Sequence, residues 1–333
     1  MLNVRAPVLR DVEDDHMAVN TALHPDLTFR NLAIIVPKAL GATLLSTVVI
    51  RQLSRDHPDR IIRCIASFTD LLQGSPYIHE TLHRDDPSVF ERAIRDNDVI
   101  DLTGTLTYQP NRRPEPVHLI DLLCRRARVA NDGNGPDCFL TLEEINAAER
   151  LISHKRGGTR KKVIAIATQT STPNKEWPQA KWRALIQRIG PLVCWLHLGD
   201  ARERTLPGVE YLSLTPRQSI ALTRWVDGIV TGDTFLLHAA ATQRLASAGV
   251  VTLLGSSHPD CVSYAAFHNV YIKEYDCQPC GRPYSPFDVA LLSDGSIERW
   301  KNGKAKLWEC EHVACMDLIS VEAVLDAVRY SIM

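Results

Sequence analysis

Short apolar strands alternating with amphipathic helices, in a pattern that starts twice, predict an α/β protein of two Rossmann-like, doubly wound domains facing one another across a cleft. The alternation begins at "LAIIV" and begins again at "KVIAIAT". A basic, glycine-containing stretch, "KRGGTRKK" (155–162), separates the two runs and reads as a linker. The 333 residues suit two cores of about 100–200 residues each rather than one.

In the first domain (31–154), "LAIIVPKALGATLLSTVVIRQLSRDHP" reads as a strand, a turn holding Gly41, and a helix. That helix carries Leu44, Leu45, Val48, Val49 and Leu53 at helical spacing and stops before Pro58. "IIRCIAS" and "DVIDLTG" read as strands, "PSVFERAIRD" and "EPVHLIDLLCRRARV" as helices. "TLEEINAAERLISHK" opens with Thr141 as N-cap and acids in its first turn. In the second domain (163–320), strands "KVIAIAT", "LVCWLHLG", "GIVT" and "VVTLLG" alternate with helices "QAKWRALIQRI", "TPRQSIALTRW" and "FLLHAAATQRLASAG". "DGSIERWKNGKAKL" reads as a hairpin. The last helix (321–333) puts Val321, Val324, Leu325, Val328 and Ile332 on one face, which must dock, the first domain being one place for it. Residues 1–30, acidic around "DVEDDH", form an extension that is either a disordered arm or a contact segment.

Lys and Arg number 38 against 39 Asp and Glu, which argues against a broad nucleic-acid or membrane-binding face. The N-terminus lacks the apolar core of a signal peptide, and no stretch reaches the roughly 18 apolar residues of a membrane span, so a cytoplasmic protein is expected. Cysteines there stay reduced, and Cys64, Cys124, Cys138, Cys194 and Cys261, each isolated, read as core filler. Neither half has GxGxxG, so NAD or flavin is not supported.

Ligands of open α/β sheets sit beyond the carboxyl ends of strands, which singles out loops 37–43, 168–177 and 231–238. In "TGDTFLLHAA", Asp233 or Thr234 is a natural N-cap, and the first-turn N–H groups behind it form an anion site. His238 is close enough to reach a phosphate there, or is simply a partly buried, hydrogen-bonded histidine. Loop "TQTSTPNKEWP" gathers hydroxyls beside Lys175 at another strand end, a second way to hold phosphate, although such loops are common without that role. Together the two loops suggest a diphosphate-bearing ligand.

Cys277 and Cys280 in "CQPC", with Cys310 and Cys315 in "CEHVAC", can close a tetrathiolate site whose metal would be structural; reduced thiols and disulfides are the alternatives.

These residues resemble the ADP-heptose:lipopolysaccharide heptosyltransferase family over about residues 30–330. The matching stretches are "LAIIVPKALGATLLSTVVIRQL", "VIDLTG", "HLIDLLCRRARV", "NKEWPQAKWRALIQRI", "TGDTFLLHAAA", "VVTLLGSSHP", "CQPC" and "CMDLISVEAVLDAV". The resemblance implies a GT-B-like glycosyltransferase that moves a sugar, heptose by family habit, with inversion. The donor would be ADP-heptose or another nucleotide diphosphate sugar, and the acceptor a saccharide of lipopolysaccharide-core type or a protein hydroxyl. It implies donor contacts from Thr170, Ser171, Lys175, Asp233, Thr234 and His238, with Glu203 holding the ribose. His238 is the implied catalytic aid to the leaving group. A branch of the family that modifies autotransporter proteins carries an iron-bound cysteine cluster, so zinc and iron both stand for the four cysteines, and oligomerisation stays open.

Two positions depart from the family pattern. Ala42 stands where the family has the Asp proposed as base, and Phe235 stands where it has Gly. Asp101, His118, Asp121 and Asp70 are the candidates for a replacement base. The competing reading is a nucleotide-sugar-binding or assembly protein that kept the donor loops and lost catalysis.

Overall fold

The computed structural model describes residues 31–103, 105, 116–170, 173–199, 206–242, 249–275, 278 and 314–333. The extension 1–30, the expected hairpin at 294–307, Ser171, Glu203, Cys277, Cys280 and Cys310 lie outside the described residues.

Each half builds one parallel sheet. In the first, β1 (Asn31–Ile35), β2 (Ile62–Ala66), β3 (Glu80–His83) and β4 (Asn97–Asp101) stand in the order β3-β2-β1-β4. In the second, β5 (Lys162–Ala167), β6 (Val193–Leu198), β7 (Val209–Leu212), β8 (Gly228–Thr231), β9 (Gly249–Leu254) and β10 (His268–Tyr271) stand in the order β10-β9-β8-β5-β6-β7. Strand order reverses between β1 and β4 in one sheet and between β5 and β8 in the other, which are the crevices where ligands of such sheets bind. The inner strands are apolar on both faces, as helices on both sides require: Leu32 to Ile35 and Val163 to Ile166 are all buried.

Local signals place the helices. The first, α1 (Leu40–Asp56), follows β1, and α2 (Pro87–Asp96) is capped by Asp86, which accepts from Ser88 N and Val89 N with Pro87 in the first turn. Helix α3 (Leu119–Ala127) is shorter than the apolar pattern predicts. His118 caps its start by accepting from Ile120 N, and Arg128 ends it in the left-handed region at φ 58°. Thr141 and Glu144 form the expected capping box of α4 (Leu142–Arg156). The remaining helices are α5 (Gln179–Ile189), α6 (Pro216–Thr223), α7 (Phe235–Thr242), α8 (Pro259–Val262), α9 (Ala314–Asp317) and α10 (Val321–Ser331).

Two expected domain assignments change. Helix α4, expected in the first domain, packs against α6 and β5: Ile152 shares a cluster with Val163, Ala165 and Leu196, and Arg156 pairs with Asp227 at 2.9 Å. Gly157 and Gly158, at φ 54° and 71°, turn α4 directly into β5, a backbone shape that glycine adopts without strain. The C-terminal helix α10 docks on β9, β10 and α5 of the second sheet rather than on the first half. There Val324, Leu325, Val328 and Ile332 join Ile164 and Trp182 in one apolar cluster, which outweighs any loose association elsewhere.

The halves meet through α1 and α7. Ala42, Leu45 and Val48 of α1 share an apolar cluster with Leu237 of α7, Leu254, Cys261 and Val262. Arg217 on α6 ties the halves at their edge. It forms a fork to Glu144 at 2.6 and 2.7 Å and reaches the carbonyls of Asp70 at 2.9 Å, Gln73 at 3.3 Å and Phe139 at 2.8 Å. Among the described residues, no helix is long and apolar enough to cross a membrane.

Candidate active site

The loops that follow β5 and β8 meet at the switch point of the second sheet. Lys175, in a 3-10 turn at Pro173–Lys175, places Nζ 2.9 Å from Asp233 Oδ2, and both side chains are almost fully buried. Ser257, just past the end of β9, donates to the same Oδ2 at 2.7 Å. Burial pushes the Asp233 carboxyl up, but Lys175 and the Ser257 hydroxyl outweigh it, so the carboxyl lies below its usual range and stays ionised.

Thr234, not Asp233, caps α7: its Oγ1 accepts from Leu236 N at 3.2 Å and lies 2.8 Å from Thr231 Oγ1. That division of labour follows from geometry, since Asp233 is already turned toward Lys175. Thr170 N donates to Glu176 Oε1 at 3.1 Å, which folds the loop after β5 back on itself. Asn174, beside Lys175, is 2% exposed, and neither atom of its amide has a partner among the described residues. A buried amide of this kind calls for a partner that a ligand or ordered water would supply.

His238 sits one turn into α7, buried, with Nδ1 3.0 Å from the Tyr264 hydroxyl. Burial pulls its imidazolium down to about 4, so at neutral pH the ring is uncharged. Its Cδ2 edge lies on Gly41 of α1, where a Cβ would come within 2.8 Å of Cδ2. Glycine at 41 thus admits the imidazole of the other half.

The first sheet's switch point holds less chemistry. Ala42 is 5% exposed and belongs to the interface cluster of apolar side chains. Asp101, at the end of β4, is folded onto its own turn: Oδ1 accepts from Thr103 N at 2.8 Å and Thr103 Oγ1 at 2.6 Å. His118 does approach the site, its ring edge-on to Tyr264 with centroids 5.4 Å apart. Its Nδ1 is already spent on Ile120 N at 3.2 Å, so it cannot accept a proton there without releasing the helix cap. Asp121 accepts from Asn131 Nδ2 at 2.7 Å. Phe235 packs half-buried against the cluster of Leu236, Ala239 and Ala240.

The structure therefore brings Lys175, Asp233, Thr234 and His238 together, with Thr170 in the same loop as Lys175, and keeps Asp101 apart on the other sheet. Sequence reasoning missed Ser257 and Tyr264. Ser257 was within reach, because "LGSSHP" ends the strand next to β8, but only the strand order shows that it faces Asp233. The tryptophans of "NKEWPQAKW" are structural: Trp177 Nε1 donates to Ile319 O at 2.9 Å and stands edge-on to Trp182 at 5.1 Å, anchoring the approach to α10.

Among the described residues, no cluster of three or more His, Cys, Asp or Glu could hold a metal. Cys315, the one described member of the expected four, is buried in α9 with Sγ 3.1 Å from where a Cβ on Gly255 would stand. Gln278, of "CQPC", donates to Gly255 O at 3.1 Å and to Ile272 O at 2.8 Å. Gln278 and Cys315 therefore both stand against Gly255.

Comparison with known proteins agrees with this architecture. The glycosyltransferase family 9 (heptosyltransferase) model matches residues 136–289. No curated protein sequence matches significantly. Among solved structures, a family 9 glycosyl transferase from Veillonella parvula is similar with a TM-score of 0.63 at 16% identity, covering 91% of this chain and 97% of that one. The ADP-heptose LPS heptosyltransferase II of E. coli gives 0.62 at 15% identity, covering 90% and 98%. The iron-containing dodecameric glycosyltransferase TibC of enterotoxigenic E. coli gives 0.63 at 16% identity, covering 91% and 76%. The chain has a GT-B-like fold, and residues 136–289 match the glycosyltransferase family 9 (heptosyltransferase) model.

Proposed function

We propose that the chain transfers a sugar, heptose in the first instance, from an ADP-linked donor to a saccharide or protein hydroxyl with inversion at the anomeric carbon. The observation that carries this reading is the meeting of Lys175, Asp233, Thr234 and His238 at the β5/β8 switch point, against Gly41 of the first half. Lys175 supplies the point charge for the diphosphate, and the N-terminal turn of α7, capped by Thr234, supplies backbone donors. Asp233, fixed by Ser257, holds the lysine in place rather than touching the phosphates, because a second anion there would repel them. Thr170 and Ser171 lie in the lysine's loop and Glu203 follows β6; they complete the proposed donor contacts.

The acceptor oxygen attacks the anomeric carbon from the face opposite the diphosphate. The bond to the diphosphate oxygen breaks, its electron pair leaves with the diphosphate, and the acceptor proton passes to a base. His238 and Lys175 stabilise the charge that develops on the leaving oxygen. Asp101 is the residue proposed for the proton, through Oδ2, the oxygen that its turn with Thr103 does not use.

A second reading keeps donor binding and drops turnover, and the burial of Ala42 among apolar side chains favours it. One experiment separates the two. Thermal shift and calorimetry with ADP and ADP-heptose report binding, and mass spectrometry of the donor with saccharide and protein extracts reports consumption. Binding with inverted product supports transfer; binding with intact donor under every acceptor leaves the second reading; absence of binding overturns both.

We also propose that Cys315, with Cys277, Cys280 and Cys310, holds a structural zinc or iron, supported by Gln278 and Cys315 both standing against Gly255. TibC, similar in fold, is described as iron-containing. Elemental analysis of the purified chain should find close to one metal per tetrathiolate, or a small iron cluster, and removal of Cys315 should release it.

A further inference from the structure

Tyr264, between α8 and β10, touches both histidines of the interface. Its hydroxyl lies 3.0 Å from His238 Nδ1, and its ring stands edge-on to His238 at 6.1 Å, to His118 at 5.4 Å and to Phe267 at 5.2 Å. The ring is thus held between aromatic neighbours, one of them fixed by its own helix cap.

The bond to His238 can be made in two ways. Either the phenol donates to Nδ1 and the imidazole carries its proton on Nε2, or Nδ1–H donates to the phenol and Nε2 is a bare lone pair. The second strands the phenol's own proton, since His238 Nδ1 is the one hydrogen-bond partner shown for that hydroxyl among the described residues. The tyrosine is half-buried, but the phenol is the more acidic donor of the two and the imidazole nitrogen the more basic acceptor, so the first arrangement prevails.

We infer that Tyr264 is a positioning residue that donates to His238 Nδ1 and thereby keeps His238 a neutral Nε2–H donor for the departing diphosphate. The purpose of that donor rests on the proposed sugar transfer; the tautomer does not. The groups facing His238 are Asp233 from the loop before α7, Lys175 from the 3-10 turn, His118 from the start of α3, and Tyr264 itself. Lys175 already carries the positive charge at this point, and a second buried cation beside it would be expensive. A neutral N–H avoids that cost and still strengthens as negative charge grows on the leaving oxygen. Burial, the largest influence on His238, acts in the same direction.

The test is long-range proton–nitrogen correlation of the imidazoles in the ligand-free full chain, between about pH 6 and 8, with His238→Gln used to assign the signal. An Nε2–H tautomer that does not titrate across this range is expected. In Tyr264→Phe the tautomers should mix, and ADP affinity, flat with pH in the unsubstituted chain, should fall about three- to tenfold. An Nδ1–H tautomer in the unsubstituted chain, or an unchanged tautomer in Tyr264→Phe, overturns the inference. If the variant fails to fold, the spectrum of the unsubstituted chain still decides. If the tautomer is as inferred and ADP does not bind, it is the donor reading that falls.

Discussion

At the β5/β8 switch point a lysine, a carboxylate and a serine hydroxyl are buried in contact with one another; at the β1/β4 switch point Gly41 and Ala42 present an apolar surface and Asp101 is folded onto its own turn. Both crevices come from the same reversal of strand order, so the architecture offers two equivalent sites and the side chains use them unequally. The second sheet keeps the ionic side chains. The first contributes a surface shaped to receive His238 from its partner. On the proposed reading, donor binding and chemistry at the acceptor belong to different halves.

The largest effect is expected from breaking the buried pair. Asp233→Ala removes the carboxylate from the buried Lys175 ammonium, which should cost about 3–5 kcal/mol in chemical denaturation and abolish ADP binding. Lys175→Met added to it should restore part of the stability without restoring binding. Stability equal to that of the unsubstituted chain would show that the pair is not as buried as described.

Arg217→Ala comes next, because it severs the 3-10 turn of the first half from α6 of the second while stranding Glu144. A loss of about 2–4 kcal/mol is expected, with altered spacing of the halves in small-angle scattering. The arginine holds the Glu144 carboxyl down at about 2, below its usual 4.5. Its folded value is the lower one, so the stabilisation is complete above the unfolded value. It is lost as pH falls from about 4.5 to about 2, and Arg217→Ala should remove that segment of the acid unfolding curve.

Gly41→Ala probes the contact between the crevices. Its methyl would meet the His238 ring, so about 1–3 kcal/mol of stability should be lost, with weaker donor binding, while Ala42→Gly nearby should spare the ring. Unchanged binding in Gly41→Ala would mean that the halves do not need this close approach.

The smallest effect is a slope. His238 has a folded value near 4 against an ordinary 6.5, so between these the unfolded chain binds a proton that the folded chain refuses. Stability should therefore decline as pH falls from about 6.5 to about 4, and His238→Gln should flatten that part of the curve.

The inner strands and their helices were legible in sequence because they are buried on both faces and read as unbroken apolar runs. The three strands that escaped notice, "ETLH", "VEYL" and "HNVY", all lie at sheet edges, where partial exposure permits polar residues and erases the pattern. Asp233, Thr234, Lys175 and His238 were visible because their loops follow apolar strands. Tyr264 and Ser257 were not, since each acquires its role from a partner distant in the chain: Ser257 from Asp233, and Tyr264 from His238 and His118.

Sequence alone determined that this chain forms two doubly wound units and that their strand ends carry residue types suited to phosphate. Those facts follow from hydrophobic period and side-chain chemistry, which are local. Tertiary structure decided that α4 and α10 both serve the second sheet, that Asp233 is committed to Lys175 while Thr234 caps the helix, and that His238 is neutral and lies on Gly41. Each of these depends on which surfaces become buried against which, and burial is a property of the folded whole.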